Sequence, residues 1–143
     1  MYSFSAQKDE TELFGSSQIE NLVLFSEYNE VQIQGRMKAL FGEPLYETEN
    51  YEDAYTYVIR ATDSEGAHIC FTVYQGGSGS AIGAKSNSKQ LQDALRDFKQ
   101  LLKDTAPADF LYEGVYMDAY VKIKQGIQNG IPFFEETEIE EDA

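Results

Sequence analysis

Apolar and polar positions along the chain alternate with two different periods, and the switches between them outline the fold. From Tyr55 to Thr62 the inward set Tyr55, Tyr57, Ile59 and Ala61 alternates with Thr56, Val58, Arg60 and Thr62. After the turn-forming Asp63-Ser64-Glu65-Gly66, the set Ile69, Phe71 and Val73 alternates with His68, Cys70, Thr72 and Tyr74. Period two on both sides of such a tetrapeptide predicts an antiparallel hairpin. A helical period appears on either side of it. Ile33, Met37, Leu40 and Phe41 form one stripe, in a helix expected to run from an N-cap at Ser26 to about Phe41 and to stop at Gly42 and Pro44. Leu91, Ala94, Leu95, Phe98, Leu101 and Leu102 mark the buried face of a second helix, capped near Ser86 or Ser88 and ended by Pro107.

Beyond Pro107 the period returns to two. Strands are expected from Phe110 to Met117 and from Tyr120 to Ile127, then the Asn129-Gly130 pair favoured in type I′ turns, then a last strand from Ile131 to Phe134. Pro132 cannot donate to a ladder, which assigns that strand to an edge. The run around Leu22–Phe25 suits either a strand or a helix start, and residues 1–18 show no clear period and are left irregular. The expected fold is a single α+β domain over residues 1–134, with an antiparallel sheet made of a hairpin plus a three-stranded meander. Two principal helices pack on one face, and residues 135–143 form an acidic C-terminal tail.

A chain of 143 residues suits one domain with a workable core, and 42% apolar content is that of a globular protein. Nowhere does it approach the run of about 18 apolar residues a membrane-spanning helix needs, and residues 1–5 do not read as a signal peptide. The lone Cys70 rules out an internal disulfide and points to a reducing, cytoplasmic setting.

Charge changes the picture most. The 25 acidic and 11 basic side chains leave a net charge of −14, which repels nucleic acid and anionic lipid and attracts a basic partner. Residues 1–66 carry 13 acids and 4 bases, residues 67–134 carry 6 acids and 7 bases, and the last nine residues carry 6 acids and no base. Acidity that served solubility alone would not need to be confined to the first half and the tail.

Several motifs bear on chemistry. Gly76–Gly83 reads as a glycine-rich loop between a strand and a helix, the place where phosphates bind. Its Gly77, Gly79 and Gly83 miss the dinucleotide fingerprint by one residue, however, and Gly83-Ala84-Lys85-Ser86 breaks the P-loop ending by one alanine. A flexible connection, or a partner-contact loop at Gly77, Ser78, Gly79 and Ser80, fits better than a nucleotide site. His68 and Cys70 share a strand face, but no third group is evident to orient the histidine for nucleophilic catalysis. One His and one Cys do not make a structural zinc site, and Asp53, Asp63 and Glu65 do not match a calcium loop. No catalytic residue, metal site or cofactor is expected.

The stretch Leu40-Phe41-Gly42-Glu43-Pro44, the tyrosine-bearing acids from Tyr46 to Tyr55, the Gly-Ser-Gly segment, Pro107-Ala108-Asp109-Phe110 and the closing Asn129-Gly130-Ile131-Pro132-Phe133-Phe134 follow one another in a telling order. Together they resemble the small acidic immunity proteins that accompany bacterial polymorphic and contact-dependent toxins. The resemblance spans roughly residues 36–136, and it is one of style and element order. It implies a non-enzymatic inhibitor that covers a basic toxin domain, such as a nuclease, through Tyr46, Glu47, Glu49, Tyr51, Glu52 and Asp53. Two alternatives stay open: a nucleic-acid mimic of phage type, and a small ligand- or nucleotide-binding domain using the Gly76–Gly83 segment.

Overall fold

In the computed structural model, residues 1–9, 16–21, 30–47, 55–76, 79–116 and 120–139 are described. The elements follow the order β1 (Ser3–Gln7), β2 (Ser17–Asn21), α1 (Glu30–Phe41), β3 (Tyr46–Glu47), β4 (Tyr55–Thr62), β5 (His68–Gly76), β6 (Gly79–Ala84), α2 (Lys89–Asp104), β7 (Phe110–Tyr116), β8 (Val121–Gln128) and β9 (Ile131–Glu138). Two antiparallel sheets result. The larger has the order β1-β4-β5-β6-β2, with β3 also paired to β4, and the smaller has the order β7-β8-β9. This is the expected α+β class, with the hairpin and the meander divided between two sheets instead of sharing one.

The expected hairpin forms as β4 and β5, in register from Tyr55 opposite Gln75 to Thr62 opposite His68. Its turn is closed by the Asp63 carboxylate, which accepts from the N–H groups of Glu65 and Ala67 at 2.9 and 3.0 Å. The face carrying Tyr55, Tyr57, Ile59, Ala61, Phe71 and Val73 is buried beneath the helices. The second helix begins where Ser88 Oγ accepts from the Leu91 N–H at 3.1 Å, satisfying one of the orphan donors of its first turn. Leu91, Ala94, Leu95, Phe98 and Leu102 are its buried residues, whereas Leu101 is only half-buried.

Phe98 is the hub of the core. Its ring lies 5.3 Å from Phe4 of β1, 5.1 Å from Phe71 of β5 and 6.2 Å from Phe41 of α1, so one side chain of α2 touches aromatic rings from three other elements. The first two contacts are edge-to-face, the geometry that the ring quadrupoles favour.

Helix α1 is buried on more than one side. Residues 33–37 are all buried, although only Ile33 and Met37 belong to the apolar stripe that meets the larger sheet. Gly35 lies on the opposite side of the helix and faces β8. A Cβ placed there would come within 2.6 Å of Ile127 Cδ1 and 2.8 Å of Pro107 Cβ, so any larger residue would force these side chains to shift. The Ala108 N–H donates to the Gly35 carbonyl at 3.0 Å and fastens the segment before β7 to the helix. Burial on both sides explains the buried Gln34 and Arg36; the Arg36 guanidinium donates to Gln32 Oε1 at 3.0 Å.

Three expectations are corrected. Gly79–Ala84 is a strand, not part of a glycine-rich loop: Gly79 pairs with Gly76, and Ile82 and Ala84 join the core. Residues 1–18 are not wholly irregular, because Ser3–Gln7 and Ser17–Asn21 form the two outer strands of the larger sheet. The last strand does not stop at Phe134 but continues to Glu138, so Glu135, Glu136 and Glu138 belong to a ladder and not to a tail. The expected start of α1 at Ser26 lies outside the described residues.

Replacing Gly35 with alanine is expected to destabilise the protein by about 1–3 kcal/mol despite alanine's better helix propensity, because the added methyl overpacks the contact with Ile127. Phe98→Ala is expected to cost about 3–5 kcal/mol, as it empties the centre of the ring cluster. Urea denaturation of both variants, followed by circular dichroism, checks the order and the size of the two effects.

Candidate partner-binding surface

The smaller sheet presents the most distinctive exposed chemistry among the described residues. Its strands are consecutive in sequence, and two local devices hold the register. The Asn129-Gly130 turn has positive φ at both residues, 55° and 76°, as a type I′ hairpin requires. The Asp109 carboxylate, just before β7, accepts from the Asn129 N–H at 2.8 Å and from the Gly130 N–H at 3.1 Å. The turn between β8 and β9 is thereby tied to the start of β7, and the meander is closed at that end.

On the face turned away from α1, three cross-strand rows follow from the register: Leu111–Gly126–Phe133, Glu113–Lys124–Glu135 and Val115–Lys122–Thr137. Gly126 leaves a dip between Leu111 and Phe133, and a Cβ there would collide with the Phe110 carbonyl. A shallow depression of about 600 Å³ lies over the other two rows, lined by residues including Glu113, Val115, Lys122, Lys124, Glu135 and Thr137. The Lys124 ammonium lies 3.5 Å from Glu113, with both side chains well exposed, so the pair contributes little to stability. Lys124 stands in register between two carboxylates, and its row keeps a negative balance.

The other face of β9 is more strongly acidic. Glu136 pairs in register with Ile123 and Glu138 with Val121, so neither faces a cation across the ladder. Both are exposed, as are Ile131 at 67% and Phe134 at 55%. β9 is therefore an edge strand with apolar residues at the turn end and three carboxylates at the far end. With Leu111 at 55% and Val115 at 41% exposure, the small sheet carries most of the large exposed hydrophobics among the described residues.

Of the residues expected from the sequence, Tyr46, Glu47, Gly79 and Ser80 fall on described elements. Tyr46 and Glu47 form β3, paired with Thr56 and Tyr55 at an edge of the larger sheet. Glu49, Tyr51, Glu52 and Asp53 lie outside the described residues, as do Gly77 and Ser78. Gly79 and Ser80 open β6, and Ser80 is buried at 7% exposure with no hydrogen-bond partner for its Oγ. His68 and Cys70 occupy successive outward positions on β5, opposite Thr62 and Arg60. Among the described residues no group of three His, Cys, Asp or Glu side chains is arranged to hold a metal ion, and no helix is long and apolar enough to cross a membrane.

Sequence reasoning missed the far half of β9 as a strand because consecutive acids after Phe134 read as a solvated end. A signal was present: the Asn129-Gly130 turn alone fixes the register, and counting outward from it sets Lys124 opposite Glu135 and Lys122 opposite Thr137. The chain matches no protein-family model, no curated protein and no solved structure.

Replacing Asp109 with alanine is expected to cost about 1–2 kcal/mol, the upper part of the range being reduced by its exposure. Hydrogen exchange should localise the effect, with the amides of Asn129 and Gly130 losing protection while those of α2 remain unchanged.

Proposed function

We propose that the protein is a non-enzymatic acidic binding protein, acting as an immunity protein that neutralises a cognate bacterial toxin by covering the toxin's basic active or substrate-binding surface. The observation that supports this reading most is β9: Glu135, Glu136 and Glu138 are held on a regular strand beside exposed Ile131 and Phe134, and two of the acids face only apolar residues across the ladder. Carboxylates lacking a local cation keep their full field for an incoming partner. Aromatic and aliphatic side chains ringed by charge are the usual anatomy of a tight interface.

The physical logic is that of electrostatic capture. A nuclease or similar toxin is basic because it binds phosphates, and a chain of charge −14 is drawn to the same surface. Long-range attraction sets the speed of encounter, and the apolar residues of the small sheet then set the lifetime of the complex. In this reading the first-half acids, from Tyr46 and Glu47 through Glu49, Tyr51, Glu52 and Asp53, add to the field and to the covered area. The single thiol of Cys70 suits action in a reducing cytoplasm.

The test is co-purification with the product of the gene adjacent to its own, together with growth of cells that express that product. A complex is expected at low salt, weakening by about tenfold or more between 50 and 500 mM salt, and co-expression is expected to restore growth. The double variant Glu136→Gln/Glu138→Gln should slow association several-fold with a smaller change in dissociation, as read by stopped-flow. If instead no complex forms and the chain occupies the DNA groove of a restriction-type enzyme, it is a nucleic-acid mimic and the immunity reading fails.

A further inference from the structure

Antiparallel ladders alternate between residue pairs that exchange backbone hydrogen bonds and pairs that do not. In the β8–β9 ladder, Val121 stands opposite Glu138 and Gln128 opposite Ile131. One step further along, the Ile139 N–H donates to the Tyr120 carbonyl at 2.7 Å. Counting back in twos from that bond, Thr137, Glu135, Phe133 and Ile131 turn their backbone groups toward β8. Pro132, Phe134, Glu136 and Glu138 turn theirs the other way, to the side on which no described strand pairs with β9. The proline fits this phase: the one residue of the strand without an N–H stands where no ladder bond to β8 is lost.

The free edge of β9 thus offers the carbonyl of Pro132 and both backbone groups of Phe134, Glu136 and Glu138. We propose that an extended segment of a protein partner adds to this edge as a fourth strand of the small sheet. The proposal rests on the binding reading above and gives it a partner chemistry. Such a segment carries Lys or Arg where it runs beside Glu135, Glu136 and Glu138, and β-branched or other apolar residues where it runs beside Ile131 and Phe134. Backbone bonds supply affinity independent of sequence, and the change from acids to apolar residues along β9 supplies orientation and selectivity.

Charge selects this occupant over a second copy of the chain, since self-pairing would bring two molecules of charge −14 together. It also selects this edge over β7. That strand exposes Leu111 and Val115, but its single carboxylate, Glu113, is already 3.5 Å from Lys124.

The experiment uses a synthetic ten-residue peptide whose first half alternates lysine with threonine and whose second half alternates valine with threonine. Amide exchange of the isotope-labelled protein is followed by NMR with and without it. The peptide is expected to slow exchange at Phe134, Glu136 and Glu138 by about tenfold or more, and to leave Glu135 and Thr137, already bonded to β8, unchanged. A peptide with glutamate in place of lysine should give no protection. Glu136→Pro removes one outward donor, as Pro132 already does, and should abolish the protection while Tyr112 and Lys124 keep their chemical shifts; Glu136→Gln should only weaken it.

Absence of protection in the parent protein overturns the proposal without reliance on any variant. So do shifts confined to Leu111 and Val115, which would mean docking on the face of the sheet, and protection of the same amides that rises with protein concentration alone, which would mean a second copy. A salt-sensitive complex with the neighbouring gene product that survives Glu136→Pro overturns strand addition and leaves the binding reading standing. If that product fails to bind the parent protein at all, the binding reading itself fails.

Discussion

The close contact between Gly35 of α1 and Ile127 of β8 is the constraint on which the two-sheet arrangement depends. A helix can lie against a sheet on one side with ordinary amphipathic patterning, and Ile33 and Met37 give α1 that side. To bring a second sheet against the opposite side requires a position where the backbone itself is the packing surface. Gly35 is that position, and the hydrogen bond from the Ala108 N–H to its carbonyl fixes the chain as it enters β7. The helix interior consequently includes side chains that a half-exposed helix would leave in water, such as Gln34 and Arg36.

From that joint the molecule divides its tasks. The larger sheet and α2 supply the core, centred on Phe98. The smaller sheet is fastened by α1 on one side, and among the described residues nothing pairs with the outer edge of β9. Acidic and apolar groups are thus presented on regular backbone, with positions set by the ladder and by the Asp109 clamp. The larger sheet shows what happens to chemistry that the sequence seemed to offer: the glycines near Gly79 serve close strand pairing, with Gly83 set against Thr72.

How much of this was legible in the sequence varies with how each element earns its burial. The β4–β5 hairpin, α2 with its Ser88 cap, and the Asn129-Gly130 turn were readable because each carries its own period or its own turn chemistry. β1 and β6 were not. Ser3–Gln7 contributes little to the core beyond Phe4, and Gly79–Ala84 is rich in small residues whose strand state is set by neighbours on both sides. The candidate surface was half legible. Charge marked the chain as strongly acidic, but sequence placed the acids of Glu135–Glu138 in a tail, because the backbone pairing that orders them comes from β8. Burial of α1 on both sides was invisible for a related reason, since a glycine in a helix signals nothing until its neighbour is known.

The placement of β1 and β2 also bears on the order in which the chain assembles. Both pair with strands far downstream, Ser3 with Thr62 and Ser17 with Ala84, whereas among the described strands β7, β8 and β9 pair with their immediate neighbours. Loop closure over such distances is slow compared with hairpin formation, so the small sheet and the β4–β5–β6 meander nucleate locally while the outer strands join last. During synthesis the ribosome releases β1 and β2 before the strands they flank exist. These two segments must therefore wait unpaired in water, and the polar Ser-Phe-Ser-Ala-Gln and Ser-Gln-Ile-Glu-Asn are sequences that can do so without sticking to other chains.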